Sequence, residues 1–140
     1  MKNQVQLITY VDRLAEGGLR GLQRLLAGPL AGLFGGVHLL PFFHPIDGAD
    51  AGFDPIDHSL VDPRLGTWDD VQALSGTLDV MADLIVNHVS AKSPQFLDFL
   101  ERGAASPHAG LFLTLDRLFP EGAREADLGP GPACPSAWRP

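Results

Sequence analysis

Two polar side chains, Asn87 and His88, follow the aliphatic segment Met81–Val86. A continuous aliphatic segment of this length predicts a strand buried in a parallel sheet, and such sheets bind ligands beyond the carboxyl ends of their strands. An amide and an imidazole both donate and accept hydrogen bonds. We therefore expect a ligand site here, although Asn87 could equally bind loop backbone and His88 could equally be structural.

A second polar group lies between Pro41 and Gly66, in a long segment without helix or strand periodicity, which is usually functional in a compact domain. Aspartates accept hydroxyl protons and an aromatic ring covers the C–H face of a sugar, so this composition favours a sugar or polyol ligand. Each aspartate taken singly is more often a turn former, and the aromatic ring could be core. The residues concerned are Asp47, Asp50, Asp54, Asp57, His44, His58 and Phe53.

A divalent metal site is a weaker interpretation of the same residues. The aspartates lack the alternate-residue spacing of an EF-hand loop, and the sequence has no His-x-x-x-His pair. His38 and His108 are expected to be core or surface residues.

The flanking segments predict the scaffold that positions these side chains. Strands are expected at Val5–Tyr10, Val37–Pro41 and Met81–Val86, and Leu19–Leu30 has helical spacing that Pro29 should end. Alternating strands and helices predict parallel strands joined by right-handed crossovers, and hence an α/β fold. Local signals predict two further helices: a capping box at Thr67 and Asp70, and Ser93-Pro94 before a buried stripe of Phe96, Leu97, Phe99 and Leu100.

The composition is that of one ordinary domain, with 140 residues and a formal net charge of −7. Lysines and arginines are scattered, so we expect neither nucleic acid nor a membrane as partner. The first residues lack the apolar segment of a signal peptide, and Cys134 is the single cysteine. These features favour a cytoplasmic location.

Several motifs together resemble glycoside hydrolase family 13, the α-amylase superfamily. Asp83–His88 is similar to a family motif that ends in Asn-His on the third barrel strand. The similarity runs from Met1 to about Asp127 and includes the pattern of phosphorylases that act on sucrose. The segments that extend it are Val5–Tyr10, Leu39–Phe43, Pro45–His58 and Arg64–Asp70.

The resemblance implies that residues 1–127 are the N-terminal part, about three βα units, of an incomplete (β/α)8 TIM barrel. It implies a retaining double displacement, in which a glucosyl unit moves from sucrose to an enzyme aspartate and then to phosphate. By position, it assigns Asp50 and His88 to hydroxyls of the glucosyl ring, Phe53 to the apolar platform beneath that ring, and Asn87 to support of the loop. It places the nucleophile and the acid/base beyond this chain, and it leads us to expect neither a metal nor another cofactor.

Residues 128–140 depart from the family pattern and are rich in glycine and proline, which predicts an irregular tail. We hypothesise that this tail is frameshifted or misassembled. We expect the chain alone to be inactive, and its oligomeric state is open. The alternatives are a non-catalytic α/β sugar-binding module and a phosphorylase or hydrolase of another α-glucoside.

Overall fold

The computed structural model describes residues 3–48 and 51–122. Asp50 and the predicted tail at 128–140 therefore lie outside the described residues, as does the expected domain boundary at 127. The strands are β1 (Gln6–Thr9), β2 (Gly36–Leu39), β3 (Phe43–Pro45), β4 (Pro55–Val61) and β5 (Asp79–Ala82). The helices are α1 (Gly18–Ala27), α2 (Trp68–Ser75), α3 (Pro94–Arg102) and α4 (Leu115–Leu118), with short 3₁₀ turns at Gly103–Ala105 and Ala109–Leu111.

A parallel sheet in the order β1-β2-β5 forms the centre of the fold. The connections between these strands contain α1 and α2, which confirms the predicted α/β class. Leu39 pairs with Thr9 on one side and with Ala82 on the other, so the three strands end at the same level. Within the described residues, no helix is long and apolar enough to span a lipid bilayer.

The hydrophobic core lies between this sheet and α1. Leu19, Leu22 and Leu26 occur at helical spacing on α1, and all three are buried. They belong to one buried cluster with Val37 and Leu39 of β2. The helix ends at Ala27, two residues before Pro29, as the sequence predicts.

The predicted capping box at the start of α2 is present. Thr67 Oγ1 accepts a hydrogen bond from the Asp70 backbone N–H, and the Asp70 carboxylate accepts one from the Thr67 backbone N–H. The same carboxylate binds Arg20 Nε of α1 at 2.7 Å. Asp70 therefore caps its own helix and also ties that helix to α1.

The segment between Pro41 and Gly66 contains regular structure, contrary to the predicted structureless loop. β3 and β4 form an antiparallel hairpin that pairs His44 with Asp57. The pairing register shifts twice within β3, so the alternation of inward and outward side chains is lost. These irregularities explain why the sequence shows no period of two.

The third parallel strand is shorter than predicted. β5 ends at Ala82, level with the end of β2, and the last bond between them in the described part of the chain is from the Asp83 N–H to the Leu39 carbonyl at 3.4 Å. Val86 was expected to be buried in the strand, but it is 80% exposed. Asn87 and His88 consequently follow an irregular segment rather than the strand itself.

The start of α3 was predicted correctly, but its buried stripe is only partly formed: Phe96 and Phe99 pack on Phe112, whereas the two leucines are exposed. Ser93 Oγ accepts a hydrogen bond from the Phe96 N–H, and Pro94 is the first residue of the helix. Leu97 and Leu100, however, are 51% and 58% exposed. Their apolar face has no covering element within the described residues, as expected for an incomplete barrel.

Replacement of Thr67 by alanine is expected to lower the free energy of unfolding by about 1 kcal/mol, because the substitution removes the N-cap oxygen. Thr67→Ser is the matched control, since it keeps the hydroxyl. Urea unfolding followed by circular dichroism measures both variants. Equal stabilities of the alanine and serine variants would contradict this role for the cap.

Candidate functional site

Three hydrogen bonds join the end of the β3–β4 hairpin to the irregular segment after β5. His58 Nε2 bonds the Ile85 carbonyl at 2.7 Å, and His88 Nε2 bonds the Phe53 carbonyl at 2.5 Å. The Ser90 N–H donates to the Pro55 carbonyl at 2.9 Å. A carbonyl only accepts hydrogen bonds, so both imidazoles donate through a protonated Nε2. We call these three bonds the hairpin clasp.

The hairpin clasp brings together two of the residues that the sequence singled out. The His88 ring lies against the Phe53 backbone, and the Phe53 side chain is 40% exposed and so accessible to a ligand. The two residues are 35 positions apart in the chain, and the hydrogen bond between them brings them together. The structure does not describe Asp50, the third residue assigned to ligand binding.

Asn87 and His88 line a cavity of about 890 Å³. Its size is in the range of small-molecule sites, and polar groups from β4 and from the segment after β5 converge on it. Asp57 and His58 contribute from β4, and Gln95 contributes from α3. The apolar side of the cavity is formed by Leu84, Val86, Leu111, Phe112 and Leu113.

Asp57 supplies a negative charge at this cavity. Its Oδ1 accepts hydrogen bonds from the Ser59 hydroxyl at 2.6 Å and from the Ser59 N–H at 2.7 Å. These two bonds, with smaller contributions from His44 and His58, lower the pKa of the Asp57 carboxyl below its ordinary value. Asp57 is therefore an ionised acceptor at neutral pH.

Arg64 supports the loop that precedes Phe53. Asp62 is buried and binds the Arg64 guanidinium through both carboxylate oxygens, and Arg64 Nη1 donates to the Asp47 carbonyl at 3.0 Å. Burial alone would raise the pKa of Asp62, but the bonds to Arg64 outweigh it and the pKa is lowered. Gly48 has φ +81°, and a Cβ there would lie 2.1 Å from Arg64 Nη2. The lack of a side chain at Gly48 therefore leaves space for the Arg64 guanidinium.

The sequence analysis missed a polar pair between β2 and the segment after β5. His38 Nε2 lies 2.7 Å from Asp83 Oδ1, and both side chains are partly buried. His38 had been expected to be an ordinary core or surface histidine, whereas it anchors the residue at which the chain leaves β5. The available signal was the presence of two polar residues within otherwise apolar strand segments.

The described residues provide no group of three His, Cys, Asp or Glu side chains arranged to hold a metal ion. Of the aspartates that the metal interpretation relied on, Asp57 accepts hydrogen bonds from Ser59 through its carboxylate. The residues that line the cavity are instead suited to hydrogen bonding with an uncharged polar ligand.

Comparisons with known proteins place this geometry in a family, although no family model matches the chain. Residue identity is 66% over 128 residues with sucrose phosphorylase of Agrobacterium vitis, covering 91% of this chain and 26% of the relative. It is 56% over 128 residues with sucrose phosphorylase of Bifidobacterium adolescentis, covering 91% and 25%. Glucosylglycerol phosphorylase of Marinobacter adhaerens is 44% identical over 118 residues, covering 84% and 24%.

Solved structures agree with these sequence matches. The crystal structure of sucrose 6F-phosphate phosphorylase from Thermoanaerobacter thermosaccharolyticum superimposes with a TM-score of 0.76 and 45% identity, covering 84% of this chain and 23% of that chain. The chain belongs to glycoside hydrolase family 13. Trehalose-6-phosphate hydrolase of Bacillus licheniformis, at 22% identity and a TM-score of 0.62 over 76% of this chain and 21% of that chain, shares the fold.

As a member of glycoside hydrolase family 13, the chain contains part of a (β/α)8 barrel. It spans about a quarter of the length of the curated relatives it matches. The hairpin clasp lies beyond the carboxyl ends of β2 and β5, at the edge of the sheet where barrels of this kind bind substrates. The predicted fold class is thereby confirmed.

Replacement of Ser59 by alanine is expected to raise the pKa of Asp57, because it removes the hydroxyl that bonds the carboxylate. A lowered pKa in the folded state stabilises the fold above the unfolded pKa, and this contribution is lost as the pH falls through the folded pKa. The variant should therefore lose less stability than the parent on acidification. Carboxyl ¹³C NMR titration measures the pKa, with Ser75→Ala as the control. An unchanged Asp57 titration in Ser59→Ala would contradict this assignment.

Proposed function

We propose that this chain is the sugar-binding part of a sucrose-phosphorylase-type glucosyltransferase. Such an enzyme transfers a glucosyl unit from sucrose to phosphate, by a retaining double displacement that gives glucose 1-phosphate and fructose. The observation that carries the proposal is 66% identity over 128 residues to a sucrose phosphorylase. A cytoplasmic location is a further proposal, and the single cysteine of the sequence fits such a reducing compartment.

His88 and Phe53 are the proposed contacts to the glucosyl ring. His88 uses its Nε2 proton to bind the Phe53 carbonyl, so Nδ1 is the atom that remains to accept a hydrogen bond from a sugar hydroxyl. The half-exposed Phe53 ring provides an apolar platform for the C–H face of the sugar. The His88–Phe53 bond fixes the distance between the polar contact and the platform.

Asp50 is proposed as a second contact to the glucosyl hydroxyls, and Asn87 as a support of the loop geometry. The role of Asp50 is proposed from the motif around Gly52–His58. Arg64 bonds the Asp47 carbonyl before this motif, and the hairpin clasp bonds the Phe53 carbonyl within it. A carboxylate binds two hydroxyls more strongly than a neutral acceptor does, because charged hydrogen bonds are stronger. Asn87 lines the same cavity as His88.

The reaction needs a nucleophile and a proton donor on opposite sides of the glycosidic bond. We infer that both come from the part of the family barrel that this chain does not span, and that the chain alone is inactive. Phosphorolysis of a different α-glucoside is the second candidate, supported by 44% identity to a glucosylglycerol phosphorylase.

The isolated chain is expected to release no glucose 1-phosphate from sucrose and phosphate, since it lacks the proposed nucleophile and acid/base. A coupled assay for glucose 1-phosphate measures this, with the full-length Agrobacterium vitis relative as the positive control. Turnover above a blank that disappears in His88→Ala would show that the chain holds its own catalytic groups.

A chimera tests the proposed function directly. The aligned segment of the Agrobacterium vitis sucrose phosphorylase is replaced by residues 1–127 of this chain, and phosphorolysis of sucrose and of glucosylglycerol is measured. We expect sucrose to be the better substrate. His88→Ala should lower kcat/KM by about 10- to 100-fold, the effect of one lost substrate hydrogen bond.

His108→Ala is the matched control for the chimera, since His108 does not line the cavity. Preference for glucosylglycerol would replace the sucrose proposal with the second candidate. A folded chimera in which His88→Ala behaves like His108→Ala would contradict the role of His88 in substrate binding.

A further inference from the structure

We propose that His58 is a positioning residue for the substrate site, acting through the Ile85 carbonyl to set the location of Asn87 and His88. The inference rests on the proposed function, because it assumes that the site around His88 binds the substrate. It assigns a role to a residue that belongs to neither the proposed sugar contacts nor the catalytic groups.

The His58 ring is anchored on its own side of the site. It lies on β4, and its centroid is 5.5 Å from that of Phe43 at an interplanar angle of 49°. Phe43 is buried and stacks on Phe42 at 4.8 Å, so the surface behind the imidazole is part of the core. Packing against Phe43 therefore fixes the position of the imidazole and of its Nε2 atom.

The Ile85 carbonyl needs such a donor. The strand ends at Ala82, and after the Asp83 N–H, which donates to the Leu39 carbonyl at 3.4 Å, no bond to β2 follows among the described residues. Ile85 is a buried residue, and a carbonyl shielded from water that loses its donor destabilises the position of its backbone. The Nε2–H of His58 supplies that donor at 2.7 Å.

The hydrogen bond between His58 and Ile85 is linked to the proposed site by a closed ring of contacts. From β4 it runs through His58 to Ile85, along the backbone to His88, and back to Phe53, which precedes β4. A shift of Ile85 must therefore move the His88 imidazole relative to Phe53. Misplacement of a binding group by about 1 Å can cost about 10²-fold in rate.

Two substitutions in the chimera separate the hydrogen bond from the ring. His58→Phe keeps an aromatic ring against Phe43 but removes the donor, whereas His58→Gln keeps an N–H donor. We expect His58→Phe to lower kcat/KM for sucrose by about 10-fold or more, and His58→Gln to restore much of it. A positioning role predicts that KM rises and kcat falls together, since the misplaced group serves both bound states.

The outcomes separate this inference from the proposed function. If His88→Ala lowers activity and His58→Phe does not, the positioning role is wrong and the substrate site stands. If neither substitution has an effect, the substrate site itself is wrong. Equal losses in His58→Phe and His58→Gln would show that the imidazole matters for another reason and would overturn the proposal.

A measurement on the unsubstituted chain holds even where His58→Phe fails to fold. Long-range ¹H–¹⁵N NMR correlation of the imidazole nitrogens reports which nitrogen carries the proton. The proposal requires that Nε2 of His58 carries a proton and that this proton exchanges slowly. A proton on Nδ1 alone at neutral pH would overturn it, because Nε2 could not then donate to Ile85.

Discussion

The chain that leaves β5 must find hydrogen-bond partners outside the sheet, and this requirement determines the site. β2 and β5 end at the same level, so in the described residues the backbone after Asp83 makes no further hydrogen bonds to β2. His38 binds Asp83 where the chain leaves β5. The hairpin clasp then bonds the residues from Ile85 to Ser90 to β4 and to Phe53, which precedes it. The polar residues at 87 and 88 are thereby placed beside Phe53 instead of extending into solvent.

The same sheet also shows how much of the family's barrel is present. α1 and α2 cover one face of the strands with a continuous apolar core, whereas the leucines of α3 remain exposed. These exposed leucines form an apolar surface that the remaining three quarters of the relatives' length can cover. In our proposal, the residues of this chain bind the sugar, and the rest of the family barrel supplies the nucleophile and the proton donor.

Sequence reasoning succeeded where structure depends on neighbours along the chain. The caps at Thr67 and Ser93 are local contacts over three residues, and the leucine spacing of α1 is local as well. It failed where the partner is distant in the chain. The end of β5 depends on where β2 ends, and His58 and His38 bind groups 27 and 45 residues away, which no local pattern encodes.

The central claim is that the segment after β5 lies along β4 and brings His88 against Phe53. Nuclear Overhauser contacts in the uniformly labelled 140-residue chain test it most directly. The account predicts contacts between the His88 imidazole and the Phe53 residue, together with slow exchange of the Ser90 amide, which bonds the Pro55 carbonyl. Strand chemical shifts that continue through Val86, without contacts between His88 and Phe53, would contradict it.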